Sequence, residues 1–159
     1  MKRSAHRKRE LKLIGWREWV SLPDLGIPHI KAKIDSGART SSIHAWRIRE
    51  EERDGALWVR FELHPFQGDS RGKRSCLAQV VDRRSVRSSN GLKEFRYLIK
   101  TRIGLGEDAW SMEMTLTNRD EMGFRLLLGR TTVRNRFLIH SGRSFLLSDK
   151  KFDRPKKKD

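Results

Sequence analysis

One acidic residue stands where chemistry could be done. Asp35 follows the apolar alternation Ile30, Ala32, Ile34 and is followed by Ser36, Gly37 and Ala38, then Arg39. A carboxylate at the exit of an apolar strand, backed by small residues, can be held in a tight loop beneath a cleft. There it can take or give a proton. Gly37 lets the backbone come close to the carboxylate. The Ser36 hydroxyl can hydrogen-bond across an interface. Taken alone, the four residues read as an ordinary strand-to-turn exit. Two other segments change that. Residues 126–130 are Leu-Leu-Leu-Gly-Arg, an apolar run ending in glycine and a cation, Arg130. Residues 86–91 are Val86-Arg87-Ser88-Ser89-Asn90-Gly91, a polar hairpin tip with an Asn-Gly turn signal.

The remaining reactive side chains point to no second chemistry. The histidines are His6, His29, His44, His64 and His140, and none forms the His-Glu-x-x-His spacing of a zinc peptidase. His29, His44 and His64 fall on separate segments, so only a composite site could join them. Cys76 is the sole cysteine, which excludes an intramolecular disulfide and a cysteine-rich zinc site. Its neighbours Ser75 and Leu77 lie in a strand-like run, so it reads as a small buried residue. Gly-x-x-x-x-Gly-Lys is absent, and Gly104-Leu105-Gly106 reads as a turn. We therefore expect neither metal, ATP nor another cofactor in the chemistry of this chain.

The elements that must position Asp35 are strands. Leu57, Val59, Phe61 and Leu63 alternate with polar or amphipathic residues, as do Trp110, Met112, Met114 and Leu116. That period of two marks half-buried strands. Asp54-Gly55 and Asn90-Gly91 mark hairpins, and Ser141-Gly142-Arg143 separates a last expected pair, residues 137–140 and 144–148. Only residues 130–136 look helical. The architecture expected is all-β: a small closed antiparallel barrel of roughly eight to nine strands with one short helix near its C-terminal end. The domain should span residues 11–148, between basic, disordered tails at 1–10 and 149–159.

Composition bounds the partners. Lys and Arg number 36 against 20 Asp and Glu, a formal charge of +16, and the body between the tails is basic as well. Such a field attracts polyanions: acidic peptides, nucleic acid or ribosomes. Membrane insertion is excluded, since no run approaches ~20 apolar residues. The basic first ten residues lead into no apolar stretch, so no signal peptide is expected and the location expected is cytoplasmic.

Read together, these segments resemble a retropepsin-like aspartic peptidase: catalytic loop, flap hairpin, Leu-Leu-Gly-Arg strand, short helix, in that order. The closer resemblance is to the bacterial and archaeal family labelled ATP-dependent zinc protease, linked to ATP-grasp ligases such as the RimK glutamate ligase. It rests on Ser-Leu-Pro-Asp-Leu-Gly at 21–26, Lys-Ala-Lys-Ile-Asp-Ser-Gly-Ala-Arg-Thr-Ser-Ser-Ile-His-Ala at 31–45, the tip at 86–91, Thr-Leu-Thr-Asn-Arg at 115–119, and residues 122–130. It covers residues 12–148.

The resemblance implies a mechanism. Aspartic peptidase chemistry needs two carboxylates, and the chain has one Asp-Ser-Gly-Ala, so a homodimer would supply Asp35 twice. Asp35, Ser36 and Gly37 would be catalytic. Ala38, Arg39, Arg87, Ser88, Ser89, Asn90, Gly91 and Arg130 would line the substrate cleft, with 88–91 as a flap. Ser36 stands where the family usually has threonine. Arg39 stands where retropepsins typically have an acid that pairs with the arginine after Leu-Leu-Gly, so Arg39 and Arg130 would suit an acidic peptide or protein substrate. The alternatives are local pairing of each arginine, a non-catalytic basic barrel binding RNA or ribosomes, and a scaffold for an ATP-grasp ligase.

Overall fold

The computed structural model describes residues 10–66, 72–87, 91–118 and 123–149. Its strands are β1 (Lys12–Gly15), β2 (Arg17–Leu22), β3 (Ile27–Ile34), β4 (Ser41–His44), β5 (Trp46–Arg53), β6 (Ala56–Leu63), β7 (Arg74–Arg87), β8 (Lys93–Leu105), β9 (Asp108–Thr117), β10 (Leu126–Leu128) and β11 (Phe137–His140). One short helix, α1, spans Arg130–Val133.

Six strands close a barrel in the order β2-β3-β10-β4-β9-β8, and Ser21 of β2 opposite Gly104 of β8 completes the ring. From β8 the sheet runs on through β7, β6 and β5 as an open arm. The alternating residues face one core: Ile30 and Ala32 of β3, Ile43 of β4, Met112 and Met114 of β9, and Leu126 and Leu128 of β10 are all buried. Val59, Phe61, Leu63 and Cys76 of the arm join the same cluster. Burying a side chain such as Leu or Ile contributes roughly 1.5–3 kcal/mol, so this cluster is what holds the ring together.

The barrel matches the expected all-β class, but six strands close the ring in place of the eight or nine expected, because β5, β6 and β7 extend as the arm, and its pairings are mixed. β3 with β10 and β4 with β9 run parallel. A period of two fixes which face is buried and says nothing of strand direction.

The chain ends depart further from expectation. The segment 13–21 forms two strands that break at Trp16, whose carbonyl accepts from Ile34 N–H at 2.9 Å and whose N–H donates to Arg143 O at 2.9 Å. β11 does not pair with residues 144–148; it lies parallel to β1. Residues 144–148 form a strap instead. The cause is Glu18, fully buried on β2. Its carboxylate accepts from the N–H groups of Gly15 (2.7 Å), Leu146 (2.7 Å), Leu147 (3.1 Å) and Ser148 (2.9 Å), and from the Ser148 hydroxyl (2.8 Å). Three consecutive N–H groups aimed at one carboxylate require a bend, since a strand points successive groups to opposite sides. The helix is shorter than 130–136: it stops at Val133, and Asn135 has a left-handed φ of 64°. The expected tails lie outside the described residues except Glu10 and Asp149.

Candidate active site

Asp35 sits one residue past the end of β3, where the parallel ladder to β10 closes with Ile34 opposite Leu128. Its N–H donates to Leu128 O at 2.8 Å. A tight turn follows, with Ala38 N–H donating to Asp35 O at 3.1 Å. Gly37 N–H donates to Asp35 Oδ1 at 3.2 Å, which fixes one carboxylate oxygen. Asp35 is half-buried, while Ser36 and Gly37 are exposed. The loop therefore presents a steadied carboxylate on an open surface of one chain.

The Leu-Leu-Leu-Gly-Arg run holds this loop from the other side. Arg130 N–H donates to Ala38 O at 2.8 Å, and Thr131 gives its N–H (3.1 Å) and its hydroxyl (2.9 Å) to Arg39 O. Gly129 makes the approach close. A Cβ there would lie 2.6 Å from the Thr40 carbonyl carbon and 2.8 Å from its oxygen. Both are backbone atoms that cannot rotate aside. The Arg130 guanidinium reaches over the loop and donates from Nη1 to Ser36 O (3.0 Å) and Gly37 O (3.1 Å). It thus braces the Asp35 loop; Arg130 pairs locally, with backbone carbonyls as acceptors. Arg39 is exposed, and its guanidinium makes no hydrogen bond or ion pair among the described residues.

Below the loop lies a buried hydroxyl network absent from the sequence reading. Ser41 Oγ accepts from Gly129 N–H at 3.0 Å and lies 2.6 Å from Thr132 Oγ1. Trp110 Nε1–H donates to Thr132 O at 3.0 Å. Every member of that chain has a partner, which is what makes a buried polar cluster rigid rather than costly. The available signal was Ser41 itself, a polar residue two positions before the apolar Ile43 and therefore on the inward face. Arg84 was missed too. Its Nη1 donates to Thr40 Oγ1 at 3.3 Å, so β7 passes within a side chain's length of the Asp35 loop. The arm's hairpin leads to the proposed flap. Arg87 ends β7 opposite Lys93, and Gly91, two residues before β8, has φ 82°, the left-handed value its Asn-Gly position predicts. Ser88, Ser89 and Asn90 lie outside the described residues.

Among the described residues the histidines do not converge as metal ligands. His44 and His64 clasp Trp46 between them, ring centroids 3.7 Å and 3.9 Å from the indole, with interplanar angles of 22° and 12°. The Arg125 guanidinium lies 4.8 Å from the Trp46 ring centroid, with Nη1 3.2 Å from His44 Nδ1. Burial holds the His64 pKa below its ordinary value, against the opposing pull of Glu62. Among the described residues no three His, Cys, Asp or Glu side chains gather as a metal requires. These residues do not fit the zinc of the family label. Cys76 is buried, its thiol pushed up to about 11 by that burial. Among the described residues, no helix is long and apolar enough to cross a membrane.

Comparison with known proteins gives this geometry a context. A family model described as "Retropepsin-like aspartic endopeptidase RimB" matches residues 13–150. A protein of Shewanella pealeana named "Probable alpha-L-glutamate ligase" is 53% identical over 138 residues, covering 87% of this chain and 30% of that protein. One of the same name from Parasynechococcus marenigrum is 46% identical over 141 residues, covering 89% and 30%. The chain thus spans about a third of the length of these relatives. A crystal structure of a Legionella pneumophila protein of unknown function superposes with a TM-score of 0.72 at 26% identity, covering 87% of this chain and all of that one.

Proposed function

Because the chain belongs to the RimB-like family of retropepsin-like aspartic endopeptidases, we propose that it is an aspartic peptidase acting as a homodimer on acidic peptides. The observation that carries this reading is the Asp35 loop. One carboxylate is held by Gly37 N–H on a turn fastened to Leu128, Arg130 and Thr131. In a twofold dimer two such loops face each other. Two carboxylates a few ångströms apart do not both ionise readily, so they share one proton. The ionised partner takes a proton from a water molecule as the water oxygen attacks the scissile carbonyl carbon. The protonated partner gives its proton to the carbonyl oxygen. The resulting diol then collapses: the carboxylate that took the water proton gives it to the amine nitrogen as the C–N bond breaks, and the other carboxylate takes a proton from a diol hydroxyl, which restores the shared proton. No metal or nucleotide enters any step.

The other residues take roles around that exchange. The Ser36 hydroxyl offers a hydrogen bond across the dimer axis in place of the usual threonine. Gly37 and Ala38 line the cleft, and the hairpin through Arg87, Ser88, Ser89, Asn90 and Gly91 closes over substrate and excludes water. Arg130 braces the loop and edges the cleft. Arg39, exposed and without an ion pair among the described residues, supplies a guanidinium for a substrate carboxylate.

The relatives named as glutamate ligases favour a second, compatible reading. Some 30% of each of those chains corresponds to this one. A module that travels with glutamate addition is suited to cutting glutamate-extended tails, or to docking the ligase. The test has two arms. Sedimentation of the full chain reports its mass in solution, and glutamate-rich and neutral peptides are incubated with wild type, Asp35→Asn and Arg39→Glu from pH 4 to 8. A dimer that cuts, with cutting abolished by Asp35→Asn and biased against acidic peptides by Arg39→Glu, is the expected result. A strict monomer without cleavage at any pH leaves the docking reading.

A further inference from the structure

On the open arm, away from the Asp35 loop, lies a groove of about 640 Å³ lined by Arg47, Arg49, Arg60, Phe61, Glu62, Lys73 and Ser75. Four of its seven lining residues are cations. We propose that this groove is a second binding site, an exosite that holds a carboxylate-rich peptide segment outside the catalytic cleft. The inference rests on the acidic-substrate reading above and adds a second place where such a substrate is gripped.

Three features build the site. Arg49 on β5 stands directly opposite Arg60 on β6. Like charges in that position oppose strand pairing. Arg60 is compensated by Glu51, its Nε 2.5 Å from Oε1. Arg49 is exposed and has no ion pair or hydrogen bond among the described residues. The fold keeps a guanidinium where its own pairing would prefer a neutral or acidic residue. Next, the ladder slips between Trp46 and Arg49, and Arg47 within that bulge has a left-handed φ of 54°. Bulges re-aim side chains, and a non-glycine residue in that conformation costs about 1 kcal/mol. Here the bulge brings another cation to the groove wall. Finally, Glu62 on the floor ties Arg47 (3.1 Å) and Lys73 (3.1 Å) together from two elements. One carboxylate cannot neutralise both, so the groove stays positive.

The occupant follows from what lines the groove. Guanidinium forks match carboxylates in paired hydrogen bonds. Single-stranded nucleic acid would need exposed rings for base stacking. Phe61 is only 1% exposed, and the nearby Trp46 has both faces covered by His44 and His64. A carboxylate-rich peptide fits; a stacked base does not.

The experiment measures fluorescence anisotropy of a fluorescein-labelled decaglutamate peptide on the full chain carrying Asp35→Asn, so that nothing is cut. Arg49→Glu in that background should weaken binding about tenfold or more, the loss of one paired contact plus repulsion. Arg134→Glu, an equal charge change on an exposed residue outside the groove, should change it less than twofold. Arg49→Glu should also leave the thermal midpoint unchanged or higher, because it relieves the opposition to Arg60; Arg49→Gln serves as the milder replacement. Equal losses in Arg49→Glu and Arg134→Glu would overturn the site in favour of a diffuse basic field. So would the absence of decaglutamate binding, or tighter Arg49-dependent binding of a labelled ten-nucleotide single-stranded RNA. Failure of the peptidase reading looks different: wild type cuts no peptide at any pH while Arg49-dependent binding of decaglutamate persists.

Discussion

Replacing Glu18 by alanine should destabilise the chain more than any other single polar substitution near its ends. The carboxylate is fully buried and accepts five hydrogen bonds, four from backbone N–H groups. Each buried donor left without an acceptor costs about 1–3 kcal/mol. Four such groups would sum to more than the strap can cost, because residues 144–148 can lift away and meet water. The loss should therefore settle at about 3–5 kcal/mol, the range for breaking a buried charged cluster. For a chain of this size that lowers the thermal midpoint by roughly 6–20 °C. Glu18→Gln should cost less. Its amide oxygen can keep the three donors on Oε1, while its NH2 would face Gly15 and Leu146 N–H, donor against donor. Urea and thermal unfolding followed by circular dichroism measure the loss. Limited proteolysis reports whether cleavage after Arg143 appears with it. A Glu18→Ala loss under about 1 kcal/mol, or a strap that stays protected, would refute the argument that this carboxylate fastens the strap.

Four further outcomes follow from the same geometry. Gly129→Ala should destabilise by about 1–3 kcal/mol, the usual cost of forcing an atom into filled space, and should abolish peptide cleavage; a variant with full activity would show that the loop can retreat from Thr40. Arg130→Gln should lower kcat more than KM on neutral peptides, since it removes the bonds to Ser36 O and Gly37 O; unchanged kcat would free Arg130 from that role. Cys76, with its thiol raised to about 11, should resist thiol reagents at pH 8 until the protein unfolds. Because the unfolded thiol ionises near its ordinary 9.0 and the folded one later, stability should fall between those values, and Cys76→Ala should flatten the decline. His64 resists protonation in the fold, so stability should be full above its ordinary 6.5 and fall as pH drops below it; His64→Phe, which keeps a ring against Trp46, should lessen that slope between pH 7 and 5.

Much of the fold was legible where burial alternates along a strand. Ile30, Ala32 and Ile34, or Met112 and Met114, announce one buried face each, and the Asp-Gly turn sits where β5 and β6 meet. Direction and partnership were not legible. Nothing in Leu126–Leu128 says that it lies parallel to β3 and antiparallel to β4 at once. The strap at 144–148 looked like a strand because Phe145, Leu146 and Leu147 are apolar, whereas its shape is set by a carboxylate well over a hundred residues earlier. The Asp35 loop was visible as a pattern, and so was its partner run at 126–130. The supporting shell was hidden, since Ser41, Thr132 and Trp110 are ordinary residue types whose meeting depends on how the ring closes. Arg49 opposite Arg60 was equally invisible, because a one-residue slip at the bulge decides which side chains face each other.

The ring is fastened at Ser21 and Gly104, the sole registered rung between β2 and β8. A side chain at position 104 would run into the Ser21 hydroxyl. A hoop with so short a clasp has a built-in place to part. If it does, the molecule becomes a curved ribbon whose newly bared margins, on β2 and on the distal half of β8, carry unspent N–H and C=O groups. A small side chain at 104 would only turn the Ser21 hydroxyl aside, so it is the Ser21–Gly104 rung itself, rather than the want of a side chain there, that keeps this margin hidden from the strands of neighbouring molecules.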